Sequence, residues 1–481
     1  MIETILLVGF GYHARRIYYP ILKAEKARYN FIIIDIVDKK ESIEKFFSNE
    51  EFNPIKIVFL NQFSEELKDL PEASRSELDR LIKIYRPKGI IISSDPMYHR
   101  QYAKWALEKN ISILMDKPIS AHKDMCNDVN KAEELNKDYE DLYNLYRDKK
   151  DKLLFSIVSQ RRFHKGFQRV RELIKEVFDK TNCPITSIQI SHSDGQWRLP
   201  NEIIDIDYHS FNHGFGKCSH SGYHFVDILS FFFDATKSED KKIDNVEVFS
   251  NFLKPTDYIS QIELKDYSHL FKDFDQYNKY SQEELTSKMK NFGEIDAFIN
   301  MKFKKGDKTI TLCSVNLIHN SFSQRGNLIP NENLYKGNGR VRHESYIIQQ
   351  GPFQCIHIDS LQSSEINLNS EPNYETGGEY HFDIHIFRND KFNKDWKNYE
   401  KISIKQLQKD LMPNLSRGHQ EDARREATLE FLSYLEGKRK KEYVSDFTLH
   451  KNSVMLVSAI YKSAALKSTK LSPVVEVPYE Q

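Results

Sequence analysis

The feature that most constrains this chain is the alternation in its first 120 residues of short, continuously apolar runs with amphipathic stretches. The runs are "TILLVGF", "NFIIIDIVD", "IKIVFL", "GIIIS" and "ISILMD". None alternates with period two, so each reads as a strand buried on both faces. Between the first two, Ile17, Tyr18, Ile21 and Leu22 repeat at helical spacing, and "SELDRLIKIY" and "HRQYAKWALEKN" read as helices. Strands that alternate with helices build a parallel, doubly wound sheet with right-handed crossovers.

The first strand runs into the turn Gly9-Phe10-Gly11-Tyr12-His13-Ala14. Gly9 and Gly11, with Ala14 as the third small residue, allow close backbone approach to a pyrophosphate whose charge sits at a helix N-terminus. A glycine pair alone is a weak signal; a buried strand before it and an amphipathic helix after it supply the required context. The second strand ends in acids, Asp35 and Asp38. A carboxylate there accepts hydrogen bonds from both ribose hydroxyls and repels a 2′-phosphate. Asp38 closes the apolar run and is the favoured acid, whereas Asp35 lies mid-strand. Lys39 and Lys40 follow and suit a 2′-phosphate, so NAD is expected and NADP stays open.

The second half has a different texture. "TSIQISHSDG", "VEVFSNFL", "AFINMKF", "TITLCSVNLI" and "QCIHIDSL" are strand-like, several with period-two alternation. They predict a mainly antiparallel sheet, open on one face. The expected fold is therefore α/β: an N-terminal Rossmann domain over 1–158, and a C-terminal α/β domain with an open sheet over 159–481. Residues 255–292 read as an insertion into the second domain: a lid, a partner surface or a loop. A helix pair closes the chain. Net charge is zero and the pI near 7.3, without the basic excess of a dedicated nucleic-acid binder. Five cysteines, at 126, 183, 218, 313 and 355, are few, odd in number and unclustered, as in a reduced compartment. With no signal-peptide pattern at the start and no apolar run of spanning length, a soluble, cytoplasmic protein without membrane contact is expected.

The stretch "PKGIIISSDPMYHRQYAKWALEKNISILMDKPIS", residues 87–120, resembles the signature of the glucose–fructose oxidoreductase, inositol dehydrogenase and rhizopine-catabolism (Gfo/Idh/MocA) family. Asp116-Lys117-Pro118 stands where that family has Glu-Lys-Pro. "GYHFVDIL" is similar to its Gly-x-His-x-x-Asp helix through Gly222, His224 and Asp227. The resemblance implies NAD(P)-dependent oxidation or reduction of one hydroxyl of a sugar, nucleotide sugar or cyclitol, by a homodimer or homotetramer. It implies that Ser94, Pro96, His99, Asp116 and Lys117 join the glycine turn and Asp38 in holding the cofactor. It makes Lys117 the catalytic lysine on the reacting hydroxyl and His224 part of the proton path. Where the family has an aspartate, four residues before that histidine, this chain has His220. Arg162, Trp197, Arg198, His220 and His224 are the expected substrate contacts. Two other readings belong to other classes: an NAD-using glycosidase-type enzyme, and a non-catalytic nucleotide-binding scaffold.

His192, His209, His213, His220 and His224 fall within one short stretch of chain. Paired histidines four apart, with Cys218 between, can ligate zinc. No acid-flanked zinc motif surrounds them, however, and the glycines of "GFGKCSHSG" read as a loop, so no metal is expected. A histidine-rich loop without chemistry is the bland alternative. Proton transfer is the third: a lysine base must lose its proton readily, and an acid beside it holds it charged. His220 in place of that acid removes the stabiliser and adds a group titrating near neutrality.

Overall fold

The computed structural model describes residues 2–481 except 207, 330–338, 364–372, 374, 379, 408–418 and 470. Two compact units form, each with its own sheet.

In the first unit the five apolar runs become β1 (Glu3–Val8), β2 (Tyr29–Ile36), β3 (Lys56–Leu60), β4 (Gly89–Ile92) and β5 (Ser112–Met115), with β6 (Phe155–Ile157) at the edge. The order is β3-β2-β1-β4-β5-β6 and every pair is parallel. Ile5, Leu6 and Leu7 are wholly buried, as expected for strands with helices on both faces. The order reverses between β1 and β4, the switch point outside whose carboxyl ends such sheets bind ligands.

The sequence places one domain boundary at 158; the structure gathers three segments into this unit, residues 1–122, 134–164 and 420–454. The helix His419–Leu435 supplies Ala423, Ala427, Phe431 and Leu432 to the core around Ile5, Leu7, Phe31 and Ile33. It packs so closely that a Cβ on Gly89 would lie 2.8 Å from the Phe431 ring.

The second unit holds a nine-stranded sheet. Its strands are β7 (Ser187–Ser193), β8 (Asn245–Leu253), β9 (Asp296–Lys305), β10 (Lys308–Ile318), β11 (Val341–Gln350), β12 (Gln354–Ser363), β13 (Phe382–Arg388), β14 (Tyr399–Ser403) and β15 (Val475–Pro478). The order is β14-β13-β12-β11-β7-β10-β9-β8-β15; only β7 and β10 pair in parallel. Alternation sets the faces. In β9, Ala297, Ile299, Met301 and Phe303 are buried while Phe298, Asn300 and Lys302 are exposed. The other face is open and carries exposed Phe298, Leu312, Phe387 and Tyr399. The insertion is a packed helical body. Helices Pro255–Gln261, Leu264–Leu270, Phe274–Tyr277 and Gln282–Met289 bring Tyr258, Ile259, Leu285 and Met289 against Ile203 and Phe211. No described helix is long and apolar enough to cross a membrane.

Candidate functional site

The expected site residues divide between the units. In the first, they gather at the carboxyl ends of β1, β4 and β5. Gly9 has a left-handed backbone (φ 81°), and a Cβ there would lie 2.6 Å from the Ser93 carbonyl oxygen and 2.7 Å from the Ser94 nitrogen. Only glycine lets the β1 turn lie against the end of β4. A Cβ on Gly11, by contrast, would meet nothing within 4 Å. This open step, at the start of helix Tyr12–Arg16, fits a dinucleotide pyrophosphate. Ala14 is buried beneath the turn and Tyr12 is exposed.

Phe10, between the two glycines, turns its side chain into the core. Its ring is buried among Tyr19, Phe46 and Phe47. Its amide donates to Asp35 Oδ2 at 2.7 Å, and the Ile36 amide donates to Asp35 Oδ1 at 2.8 Å. Asp35 thus clamps the glycine turn to the end of β2, and burial raises its pKa. Asp38, the acid favoured from sequence, lies exposed on the turn Val37–Lys39.

Asp116 is the hub of this half. Its carboxylate accepts from the Tyr18 hydroxyl and, at 2.7 Å, from the Ser93 hydroxyl; His13 Nε2 lies 3.4 Å away. Burial opposes its charge, yet His13 and the two hydroxyls hold its pKa well below the ordinary carboxylate range. Burial lowers the pKa of His13 and raises that of Tyr18. His99 is fully buried, with Nδ1 2.8 Å from the Pro118 carbonyl and Nε2 3.0 Å from that of Ser94. The histidine therefore braces the turn that follows Lys117, and burial lowers its pKa. Pro96 opens a turn capped by Asp95, which accepts from the Met97 amide at 2.9 Å. Lys117 is half-buried between Asp116 and Pro118. Arg162 is buried, and its Nη2 donates to the Leu449 carbonyl at 3.2 Å within its own unit.

In the second unit, "CSHSG" forms a π-helical turn, Cys218–Gly222, that leads into helix Tyr223–Phe233. Such turns recur at functional sites. Here it separates the two histidines: His224 is buried on the helix and His220 is half-buried on the turn. The His220 ring stacks on His209 at 4.9 Å and meets Phe211 and Phe215 at its edges. His213 stacks on Phe215, and His192 on Phe225 at 4.5 Å. Among the described residues, no group of three or more His, Cys, Asp or Glu side chains is arranged to hold a metal ion.

A residue that no local pattern marks pins this turn. Glu294 is fully buried just before β9. It accepts from the Cys218 amide at 2.7 Å, the Tyr461 hydroxyl at 2.8 Å and the Cys126 thiol at 2.8 Å. Burial raises the pKa of Glu294 and of both thiols. The Ser219 amide in turn donates to the Tyr461 hydroxyl at 3.0 Å. The only advance signal was an acid in "FGEIDAF", with partners far away in sequence.

Sequence reasoning also missed Asp194. This buried carboxylate meets the Arg340 guanidinium on one oxygen and Lys217 Nζ at 2.9 Å on the other, with His319 Nδ1 at 3.5 Å. Arg340, Lys217 and His319 hold its pKa well below the ordinary range against the opposing effect of burial. Burial lowers the pKa of Lys217, and that of His319 to about 3. Arg198 is buried, with its guanidinium over the rings of Tyr208 and Phe211 at 5.8 and 5.4 Å. Trp197 packs into the insertion: its ring lies 5.3 Å from Phe271, and its Nε1 donates to the Tyr267 hydroxyl at 3.4 Å.

Residues 4–142 match the model of an oxidoreductase family with an NAD-binding Rossmann fold. No curated protein matches the sequence. Solved structures share the fold over the whole chain at low identity. Levoglucosan dehydrogenase, in complex with NADH and levoglucosan, is 11% identical over 100% of both chains with a TM-score of 0.57. The WlbA dehydrogenase from Bordetella pertussis, with NADH and UDP-GlcNAcA, is 11% identical over 100% of both chains with a TM-score of 0.53. KijD10, a 3-ketoreductase from Actinomadura kijaniata in complex with NADP and TDP-benzene, is 12% identical over 96% of this chain and 97% of that one, with a TM-score of 0.53.

Proposed function

We propose, from the match of residues 4–142 to the Gfo/Idh/MocA oxidoreductase family, that this chain oxidises or reduces one hydroxyl of a sugar, nucleotide sugar or cyclitol with NAD(P). The observation that carries the reading is the β1 turn: Gly9 closed against Ser93 and Ser94, with open space beyond Gly11 at the switch point of the sheet. A dinucleotide is the ligand such a turn accepts, and the solved relatives named above were crystallised with NADH or NADP. When bound, the nicotinamide supplies the hydride acceptor or donor.

The chain's own groups handle the rest. Gly9, Gly11 and Ala14 admit the pyrophosphate. Asp35 or Asp38 takes the ribose hydroxyls, and their presence favours NAD over NADP. Lys117 bonds the reacting hydroxyl and accepts its proton during oxidation, with His224 as the second member of the proton path. In sequence, His220 stands four residues before His224, where the family resemblance calls for an acid. The open sheet face with Phe298, Leu312, Phe387 and Tyr399 suits pairing with a second copy, hence a homodimer or homotetramer.

A screen of nucleotide sugars, aldoses and cyclitols for NADH production tests this reading. With a substrate in hand, Lys117→Ala is expected to lower kcat by roughly 10²–10⁴-fold while leaving NAD affinity nearly unchanged. Full activity in Lys117→Ala would show that the lysine is not the proton acceptor.

A further inference from the structure

Arg198 is 3% exposed, yet no carboxylate lies within ion-pair distance of it among the described residues. Its Nη1 reaches only the His209 carbonyl at 3.4 Å and its Nη2 only the Gln196 side chain at 3.5 Å; its Nε has no partner. Contacts that long are weak. Burying a guanidinium without a counter-charge is costly, and burial draws its pKa down to about 10.

Among the described residues, Glu202, Asp194 and Asp296 are committed elsewhere. Glu202 is held bidentately by Arg325, at 2.6 and 2.8 Å, and also accepts from the Tyr277 hydroxyl. Asp194 is shared by Arg340 and Lys217. Asp296 accepts the His319 amide at 2.6 Å and the Asn320 amide at 3.2 Å. A further buried polar atom stands unanswered beside this cation: His319 Nε2 has no partner. The guanidinium is nevertheless held in place. The Arg198 backbone carbonyl accepts from the Tyr258 hydroxyl of the insertion at 3.0 Å, and the guanidinium lies over Phe211, whose ring also packs near His220 and His319. Arg198 is thus a rigid, desolvated donor fork within one aromatic ring of His220.

We propose that Arg198 anchors an acidic group on the substrate, a carboxylate or a phosphate, so that the enzyme acts on an anionic sugar derivative rather than a neutral sugar. This deepens the oxidoreductase reading and rests on it. A planar guanidinium with free N–H groups matches either anion, and the ligand's charge supplies what the protein omits.

The test uses the full chain. NAD is titrated first by calorimetry; the probes then follow with NAD present: glucuronate, glucose 6-phosphate, inorganic phosphate and, as neutral control, glucose. At least one anionic probe is expected to bind about tenfold to a hundredfold tighter than glucose. Arg198→Gln is expected to erase that preference, and Arg198→Lys to keep part of it. Glucuronate and glucose 6-phosphate distinguish carboxylate from phosphate, and inorganic phosphate removes dependence on sugar stereochemistry. The melting temperature of Arg198→Gln without ligand should not fall below that of the parent, because a buried unpaired charge is lost. Anions that bind no better than glucose, or a preference that survives in Arg198→Gln, would overturn the proposal. Absence of NAD binding would instead remove the oxidoreductase reading, while the anion titrations would still report on Arg198.

Discussion

Asp116, its side chain 15% exposed, and Arg198, 3% exposed, are two largely enclosed charges, one in each unit, and they are treated in opposite ways. Asp116 is saturated: Tyr18, Ser93 and His13 surround its carboxylate and tie the helical segment after β1 to the ends of β4 and β5. Arg198 has an unmet Nε and two long contacts. A saturated buried charge stiffens a scaffold, whereas an unsaturated one costs stability unless a ligand answers it. The comparison separates the half whose form is complete in the protein alone from the half whose chemistry points outward.

Substitutions can break that contrast, beginning with the largest effect. Gly9→Val adds bulk to a left-handed residue whose Cβ would already lie within 2.6 Å of Ser93 backbone. It is expected to destabilise the first unit by about 3 kcal/mol or more, read by denaturant unfolding. Next, Asp116→Ala leaves the Tyr18 and Ser93 hydroxyls without their acceptor and should cost about 2 kcal/mol. Arg198→Gln should leave stability unchanged or increase it, because no ion pair is lost. Equal losses at the two positions would mean that both centres are structural.

A pH series sharpens the contrast further. Burial lowers the His319 pKa to about 3, below the unfolded value of 6.5. Between those values the unfolded chain binds a proton that the folded chain refuses, so stability falls as pH drops below 6.5. The slope from this one group is at most about 1.4 kcal/mol per pH unit. In His319→Asn, unfolding measured from pH 7 to pH 4 should show a shallower decline than in the parent; superimposable curves would mean that His319 is protonated in the folded state.

The parallel sheet and its glycine turn were legible because their signals are local: apolar runs of strand length, and two glycines at the end of one. The helix His419–Leu435 was not, since nothing in its own pattern says that Phe431 packs on Gly89, more than three hundred residues earlier. The same holds for Glu294, whose three donors come from Cys126, Cys218 and Tyr461. Polar residues reveal their role only through partners, and those partners are distant in sequence. Asp35 and Asp38 show the same limit at short range. Position along β2 favours Asp38, whereas the hydrogen bonds show Asp35 clamping the turn. Trp197 and Arg198, adjacent in sequence, part in the same way: one ring packs into the insertion and the other side chain keeps unmet donors.

Calorimetric titration of NAD and NADP into the purified chain decides whether the β1 turn holds a dinucleotide. Saturable binding of one NAD per chain is expected, with weaker binding of NADP, and loss of both when Gly11→Glu fills the open step with bulk and negative charge. Failure of either nucleotide to bind at millimolar concentration, or affinity unchanged in Gly11→Glu, would contradict it.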